Sequence, residues 1–197
     1  IGLFNAPTPI TIGGNRTITL GSEGIDMTHA WQDLTIHNNI ALGASQTWTV
    51  DFLRNLTVTG VVSGGKNLFK GGGGRLILTA DNTYTGTTTI NYGQIQVGNG
   101  GTTGSLGKGN VVNKGTLIFT RSNDFDVSNA FSGSGGYLKY GDGSMKCYDA
   151  RFSGSNTRLT IYGGTVEHYS GKGLVDSGDT VDVYDGKLLT VGHTNMG

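Results

Sequence analysis

Residues 71–124 have the sequence GGGGRLILTADNTYTGTTTINYGQIQVGNGGTTGSLGKGNVVNKGTLIFTRSND, and this segment indicates the fold most clearly. It contains runs of three to five residues in which apolar and polar side chains alternate, for example around Leu76 and Leu78 and around Ile95 and Val97. Such alternation lets a strand bury one face and expose the other. Gly, Asn and Thr separate the runs, so the segment predicts very short strands joined by turns.

The same pattern continues on both sides of this segment, and helical periodicity is missing nearly everywhere. Further alternating runs occupy residues 16–20, 47–50, 56–59, 158–161 and 180–183. No domain boundary is visible, so we expect residues 1–197 to form a single domain.

Two architectures accommodate short alternating strands, namely an antiparallel sandwich or barrel and a β-solenoid. Asp142-Gly143, Asp185-Gly186 and Asn99-Gly100 suit tight hairpin turns, but most connections are longer, and the strands are short for a sandwich. We therefore predict an all-β fold, a right-handed parallel β-helix. A rung of about 20 residues implies on the order of ten rungs and a rod roughly 45 Å long.

The composition excludes several classes of function. The 197 residues include 36 Gly and 2 Pro, and 14 basic side chains balance 14 acidic ones. No basic patch marks a nucleic-acid or anionic-membrane partner, and we expect no membrane insertion by this segment. The single cysteine, Cys147, is interpreted as a small buried hydrophobe, with pairing between chains as the alternative. Residues 1–9 lack the features of a signal peptide, so we expect a mature product, a fragment or export by another route.

Internal repetition supports the solenoid. Residues 56–65 and 126–136 share one outline, a short strand followed by an apolar residue, Ser-Gly and more glycine. A Leu and a Lys follow each copy, at Leu68 and Lys70 and at Leu138 and Lys139. Self-similarity of this kind is typical of stacked repeats that complete one another's core.

Residues 71–124 also resemble the passenger-associated transport repeat of bacterial autotransporters. The shared features are the Leu-x-Leu strand, the Asn-Thr-Tyr-Thr-Gly segment at 82–86, the Gly-x-Ile-x-Val strand at 93–97, the Gly-Ser-Leu-Gly turn at 104–107 and the Asn-x-Gly-Thr-Leu strand at 113–117. Residues 46–70 resemble the sequence that commonly precedes such repeats, and residues 125–140 resemble the sequence that follows them. The resemblance therefore covers about 46–140. It implies a parallel β-helix on, or released from, the surface of a Gram-negative-type cell, with a repeat that assists export and folding. For Tyr84, a plain loop is favoured over a role in fixing a turn.

Candidates for catalysis and metal binding are weak, and we expect no catalytic, metal or cofactor site. The densest acidic series is Asp176, Asp179, Asp182 and Asp185, and the other candidates are Asp124 with Asp126 and Asp149 with Arg151. The three-residue steps of the series fit no calcium loop, and the four histidines lack metal-ligand spacing. Solvated turns are the favoured interpretation of these aspartates. The glycine-rich segments 71–74 and 104–109 open no predicted helix and are interpreted as turns.

Tyrosines crowd the last third of the chain, at Tyr137, Tyr140, Tyr148, Tyr162, Tyr169 and Tyr184. We predict a binding surface for glycans or proteins that involves Tyr148, Tyr162, Tyr169 and Tyr184, with lateral packing between rungs as the favoured alternative. The predicted function is structural or adhesive and not enzymatic: attachment to a surface, or self-association, including an end-to-end fibre. The alternatives are a polysaccharide-active β-helix enzyme or tailspike-like fragment, and a piece of a toxin or protease passenger.

Overall fold

The computed structural model describes residues 8–148, 150, 152–169 and 174–190. These residues contain 22 strands and no helix, and every strand pairing between them is parallel. The predicted all-β parallel β-helix is therefore confirmed. Among the described residues, no helix is long and apolar enough to cross a membrane.

The strands form three faces that each turn of the chain visits in the same order. Sheet 1 has nine strands: β1 (Ile10–Ile12), β4 (Leu34–Ile36), β7 (Asn55–Val58), β10 (Arg75–Leu78), β12 (Gln94–Val97), β14 (Thr116–Thr120), β17 (Gly136–Tyr140), β19 (Arg158–Ile161) and β21 (Thr180–Val183). The second face is split. Its first part, sheet 2N, contains β2 (Ile18–Leu20), β5 (Ile40–Leu42) and β8 (Val62–Ser63). Its second part, sheet 2C, contains β15 (Phe125–Val127), β18 (Ser144–Tyr148), β20 (Thr165–Tyr169) and β22 (Lys187–Thr190).

Sheet 3 contains β3 (Ile25–Met27), β6 (Gln46–Val50), β9 (Leu68–Gly71), β11 (Thr88–Ile90), β13 (Val111–Asn113) and β16 (Phe131–Ser132). Single bridges extend it from Phe131 to Phe152 and on to Val175. Between sheets 2N and 2C the described chain forms no strand on the second face, only the bridge that joins Asp81 to Ser105. The irregular part of the solenoid thus coincides with the segment that resembles the transport repeat.

The core is a set of columns in which like residues stack from rung to rung. Leu34, Leu56, Leu76, Ile95 and Leu117 are partners in the register of sheet 1, and all are fully buried. Each rung therefore covers the apolar layer of the rung before it, at the strand spacing of about 4.8 Å.

Two numerical expectations need correction. The described residues make about eight turns, not ten. The predicted rung was too short, and rung length is not uniform: Ile10 pairs with Leu34 in sheet 1, whereas Arg75 pairs with the much nearer Gln94. Connections such as residues 98–110 lengthen individual rungs. Eight steps at about 4.8 Å give a rod of about 38 Å.

The two similar sequence segments do not occupy equivalent positions in the solenoid. Residues 56–65 run from sheet 1 into sheet 2N, whereas residues 126–136 run from sheet 2C through sheet 3. Lys70 consequently lies in sheet 3 and Lys139 in sheet 1. The two segments are alike because every face of this solenoid is built from a short strand and a glycine turn. The similarity therefore predicts the architecture, but it does not predict which face a segment occupies.

Candidate functional site

Asn82 connects three rungs in the gap between sheets 2N and 2C. Its side-chain oxygen accepts a hydrogen bond from the Val62 backbone N–H at 2.7 Å, and its side-chain nitrogen donates to the Ser105 carbonyl at 2.6 Å. The Asn82 backbone N–H also donates to the Ser105 hydroxyl at 3.0 Å. One buried amide thus replaces the ladder hydrogen bonds that a strand would make here.

Tyr84 packs inside the same junction. Its ring is fully buried and its hydroxyl lies 2.8 Å from the Thr88 hydroxyl. Gly107 passes so close to the Tyr84 ring and carbonyl that a Cβ at this position would clash with both. The segment forms no turn at residues 82–85, in keeping with the loop interpretation, but Tyr84 anchors this loop in the core and against the next rung. We call Asn82, Tyr84, Ser105 and Gly107 the repeat clamp, since they join the Asn-Thr-Tyr-Thr-Gly segment of one rung to the Gly-Ser-Leu-Gly turn of the next.

Arg121 holds the long connection above the clamp. Its guanidinium donates to the carbonyls of Gly104 at 3.0 Å and Thr102 at 2.5 Å, and lies 3.6 Å from the Asp81 carboxylate. The same group lies 5.0 Å from the centre of the Phe125 ring, within the range of a cation–π contact. The clamp and this arginine are structural, and they hold the connection in one conformation where strand pairing does not.

Two lysines are buried at corners of the solenoid. The Lys70 ammonium donates to the carbonyls of Gly71 at 2.6 Å, Gly72 at 2.9 Å and Tyr92 at 3.4 Å. The Lys139 ammonium contacts three carbonyls in the same manner. Both side chains are 0% exposed, and burial lowers the pKa of each to about 8. These lysines therefore bind turn carbonyls of their own rung and of the next one.

Tyrosines form two stacked ladders on the outside of the rod. The first tyrosine ladder, on sheet 1, consists of Tyr140, Tyr162 and Tyr184, with ring centres 4.8 and 5.2 Å apart and interplanar angles of 6° and 10°. The second tyrosine ladder, on sheet 2C, pairs Tyr148 with Tyr169 at 4.8 Å and 15°. Ring separations near the strand spacing show that the stacking follows directly from parallel register.

The ladders remain accessible to solvent. The exposed fractions are 37% for Tyr140, 39% for Tyr162, 44% for Tyr148 and 65% for Tyr184. Stacking between rungs, the alternative favoured from the sequence, therefore occurs in side chains that also remain exposed to solvent.

The predicted tyrosine surface divides between these ladders. Tyr162 and Tyr184 lie on or beside sheet 1, whereas Tyr148 and Tyr169 lie on sheet 2C, so the four do not form one patch. The prediction omitted Tyr140, which belongs to the first ladder. The sequence feature that could have identified Tyr140 is the equal spacing of Tyr140, Tyr162 and Tyr184. This spacing matches the length of one rung in this part of sheet 1.

Tyr137, by contrast, lies in the core. It is fully buried, and its ring centre lies 5.6 Å from that of Phe131 and 4.6 Å from that of Phe152. It therefore belongs to the packed interior and not to a binding surface.

The described acidic side chains bond mainly to turns and to basic partners. Asp179 accepts a hydrogen bond from the Thr157 backbone N–H at 2.7 Å, Asp182 pairs with Arg158, and Asp124 lies 3.2 Å from the Lys146 ammonium. Asp149 and Arg151 lie outside the described residues, as does His193. Within the described part of the chain, no group of three or more His, Cys, Asp or Glu side chains could hold a metal ion. Cys147 is fully buried, and burial raises the pKa of its thiol to about 12.

Comparison with known proteins identifies the segment that contributes Asn82 and Tyr84 to the clamp. The family model of the passenger-associated transport repeat matches residues 68–97, from the start of β9 to the end of β12. The chain is thus a parallel β-solenoid in which residues 68–97 match the passenger-associated transport repeat, as the resemblance predicted. It is 40% identical over 119 residues to the adhesin BmaC autotransporter of Brucella suis biovar 1 (strain 1330), an alignment that covers 58% of this chain and 3% of that relative. No solved structure matches the chain.

Proposed function

We propose that this chain is an adhesive segment of an autotransporter passenger, exposed at the surface of a Gram-negative bacterium, and that it attaches through its tyrosine ladders. The observation that carries the proposal is the pair of solvent-exposed tyrosine ladders on a rigid, hydrogen-bonded rod. Stacking orders the rings before a partner arrives, so binding costs less side-chain entropy than it would for isolated tyrosines. The match to a protein named as an adhesin supports the same function.

A polysaccharide-active enzyme is the less favoured alternative. Hydrolysis of a glycosidic bond uses two carboxylates that flank the bond and have different protonation states. Two aspartates of the C-terminal series make structural contacts instead, because Asp179 binds the backbone of the adjacent rung and Asp182 binds Arg158. These contacts favour a binding role over turnover.

Adhesion is tested with fluorescent beads that carry the purified chain and are applied to cultured epithelial cells. One variant combines Tyr162→Ser with Tyr184→Ser, and a second combines Tyr148→Ser with Tyr169→Ser. Tyr92→Ser is the matched control, since Tyr92 is 73% exposed and lies in a turn outside both ladders. We expect at least one ladder variant to attach several-fold fewer beads while the control equals the unaltered chain. Attachment no better than that of albumin-coated beads, or equal attachment of all variants, would reject the proposal.

Self-association through the rod, including end-to-end stacking into a fibre, is the remaining part of the prediction. Sedimentation velocity over a hundredfold range of concentration tests it. A sedimentation coefficient that rises with concentration supports association, and a constant monomer value rejects it.

A further inference from the structure

The outer side of sheet 1 carries a groove that the sequence did not reveal. It consists of two adjoining depressions, of about 380 and about 470 Å³, which share Arg75 and Gln94 in their linings. Phe52 and Leu53 line the far end of the smaller depression, and Tyr140 lines the far end of the larger one. From β7 to β17 the groove spans four strand spacings, about 19 Å.

The middle of the groove is an ordered polar network. The Arg75 guanidinium donates to the side-chain oxygens of Gln94 at 2.7 Å and Gln96 at 3.2 Å. The Gln96 side-chain nitrogen in turn donates to the Gly98 carbonyl at 2.9 Å and to Asn99 at 3.1 Å. Amide side chains both donate and accept hydrogen bonds, as sugar hydroxyl groups do. Because Gln96 is buried, its amide orients Arg75, whereas the half-buried Gln94 and the exposed Asn99 present the amide groups that a sugar can reach.

Tyr140 gives the groove an aromatic wall. Tyr162 stacks on one side of its ring, and the register of sheet 1 places Thr120 on the other side. Thr120 is small and itself lines the groove, so the second face of the Tyr140 ring borders open space. An aromatic face beside amide groups suits a sugar ring, whose C–H groups pack on the aromatic ring while its hydroxyl groups reach the amides.

The charged side chains that line the groove are all basic, although the chain as a whole is neutral. Arg54 and Arg75 are the charged side chains that line the two depressions. The neighbouring carboxylates are already occupied, since Asp33 accepts both its hydrogen bonds from Asn55, and Asp51 accepts from the backbone N–H groups of Phe52 and His29. A ligand carboxylate would therefore meet guanidinium groups without a bound carboxylate in competition.

We propose that the groove between Phe52 and Tyr140 binds an acidic, uronate-containing oligosaccharide, with Arg75 as the partner of its carboxylate and Tyr140 as the platform for a sugar ring. This inference rests on the proposed adhesive function and specifies a ligand for it. The site is separate from the second tyrosine ladder, and it includes Tyr140, the terminal residue of the first ladder.

Isothermal titration calorimetry of the full chain with a hyaluronan hexasaccharide tests the proposal, with chitohexaose as the neutral comparison. We expect hyaluronan to bind and chitohexaose to bind at least several-fold more weakly. Arg75→Gln removes a charge-assisted contact and should weaken hyaluronan binding about tenfold or more. Tyr140→Ala should weaken it several-fold. Arg16→Gln and Tyr92→Ala are the matched controls, because both residues are exposed and lie outside the groove.

Three outcomes would overturn the proposal: no binding of hyaluronan, equal binding of chitohexaose, or an Arg75→Gln variant with unchanged affinity. Thermal melts of each variant separate loss of the site from loss of the fold. The bead assay distinguishes this proposal from the adhesive function. If the unaltered chain attaches beads to cells but binds no hexasaccharide, the groove proposal alone has failed. If the hexasaccharide binds and beads do not attach, the adhesive function alone has failed.

Discussion

Replacing Asn82 by alanine should destabilise the solenoid, because its buried side chain bonds to the backbone of two other rungs. Asn82→Ala removes two hydrogen bonds. In one, the buried Val62 N–H donates to the Asn82 side-chain oxygen at 2.7 Å; in the other, the Asn82 side-chain nitrogen donates to the Ser105 carbonyl at 2.6 Å. An orphaned buried donor such as the Val62 N–H costs about 1–3 kcal/mol, and a lost hydrogen bond to the half-buried Ser105 carbonyl costs about 0.5–1.5 kcal/mol, so we expect a loss of about 1.5–4.5 kcal/mol in the free energy of unfolding. Asn82→Asp keeps the acceptor but places a carboxylate oxygen against the Ser105 carbonyl, so it should recover only part of the loss.

Asn39→Ala is the matched control for this experiment. The Asn39 side-chain oxygen also accepts a hydrogen bond from the next rung, from the Val61 N–H at 2.9 Å, but Asn39 is exposed and water can replace it. We expect this control to lose no more than about 1 kcal/mol. Urea unfolding followed by far-UV circular dichroism measures both values. Equal losses for the two alanine variants would refute the idea that the clamp replaces the missing strand.

Three further predictions concern groups that the structure buries. Gly107→Ala places a methyl group against Tyr84 and should cost about 1–3 kcal/mol in urea unfolding, whereas Gly101→Ala, which enters open space, should cost almost nothing; equal effects would contradict the packing. Burial lowers the Lys70 pKa from 10.5 to about 8, so the unfolded chain binds more protons between these pH values, and the stability of the unaltered chain relative to Lys70→Met should rise with pH across that window. A difference that stays flat in unfolding curves across that window would show that the carbonyl contacts offset the burial. Because burial raises the pKa of the Cys147 thiol to about 12, a thiol reagent should modify it only after urea unfolding, and rapid labelling of the native chain would contradict its position in the core.

The buried lysines show where sequence patterns mislead. A lysine next to glycines normally indicates an exposed turn, yet Lys70 and Lys139 are buried with their ammonium groups among carbonyls. A parallel solenoid turns its chain at each corner, and the carbonyls of successive rungs collect there. A cation that reaches them satisfies acceptors that no strand can pair. This environment exists only once two rungs have stacked, so no local pattern predicts it.

Local patterns were enough to predict the fold class and the repeat. Alternation with a period of two, short runs and glycine turns are properties of neighbouring residues, and they predict short strands that bury one face. The shortness of these strands and the length of most connections then favoured the parallel solenoid over an antiparallel sandwich. The Asn82–Gly86 segment and the turn at 104–107 likewise identify the transport repeat, which the family comparison confirms for residues 68–97.

Which residues meet across rungs depends instead on the assembled solenoid. Rung length varies along sheet 1, as the pairs Ile10 with Leu34 and Arg75 with Gln94 show, so a uniform period cannot align distant side chains. The tyrosines separated into two ladders because they lie on two different faces of the solenoid, and the groove of Arg75, Gln94, Gln96 and Tyr140 remained hidden because its residues come from three different strands of sheet 1. The register between two rungs depends on every insertion in the chain between them. It is set only when the backbones of complete rungs pair.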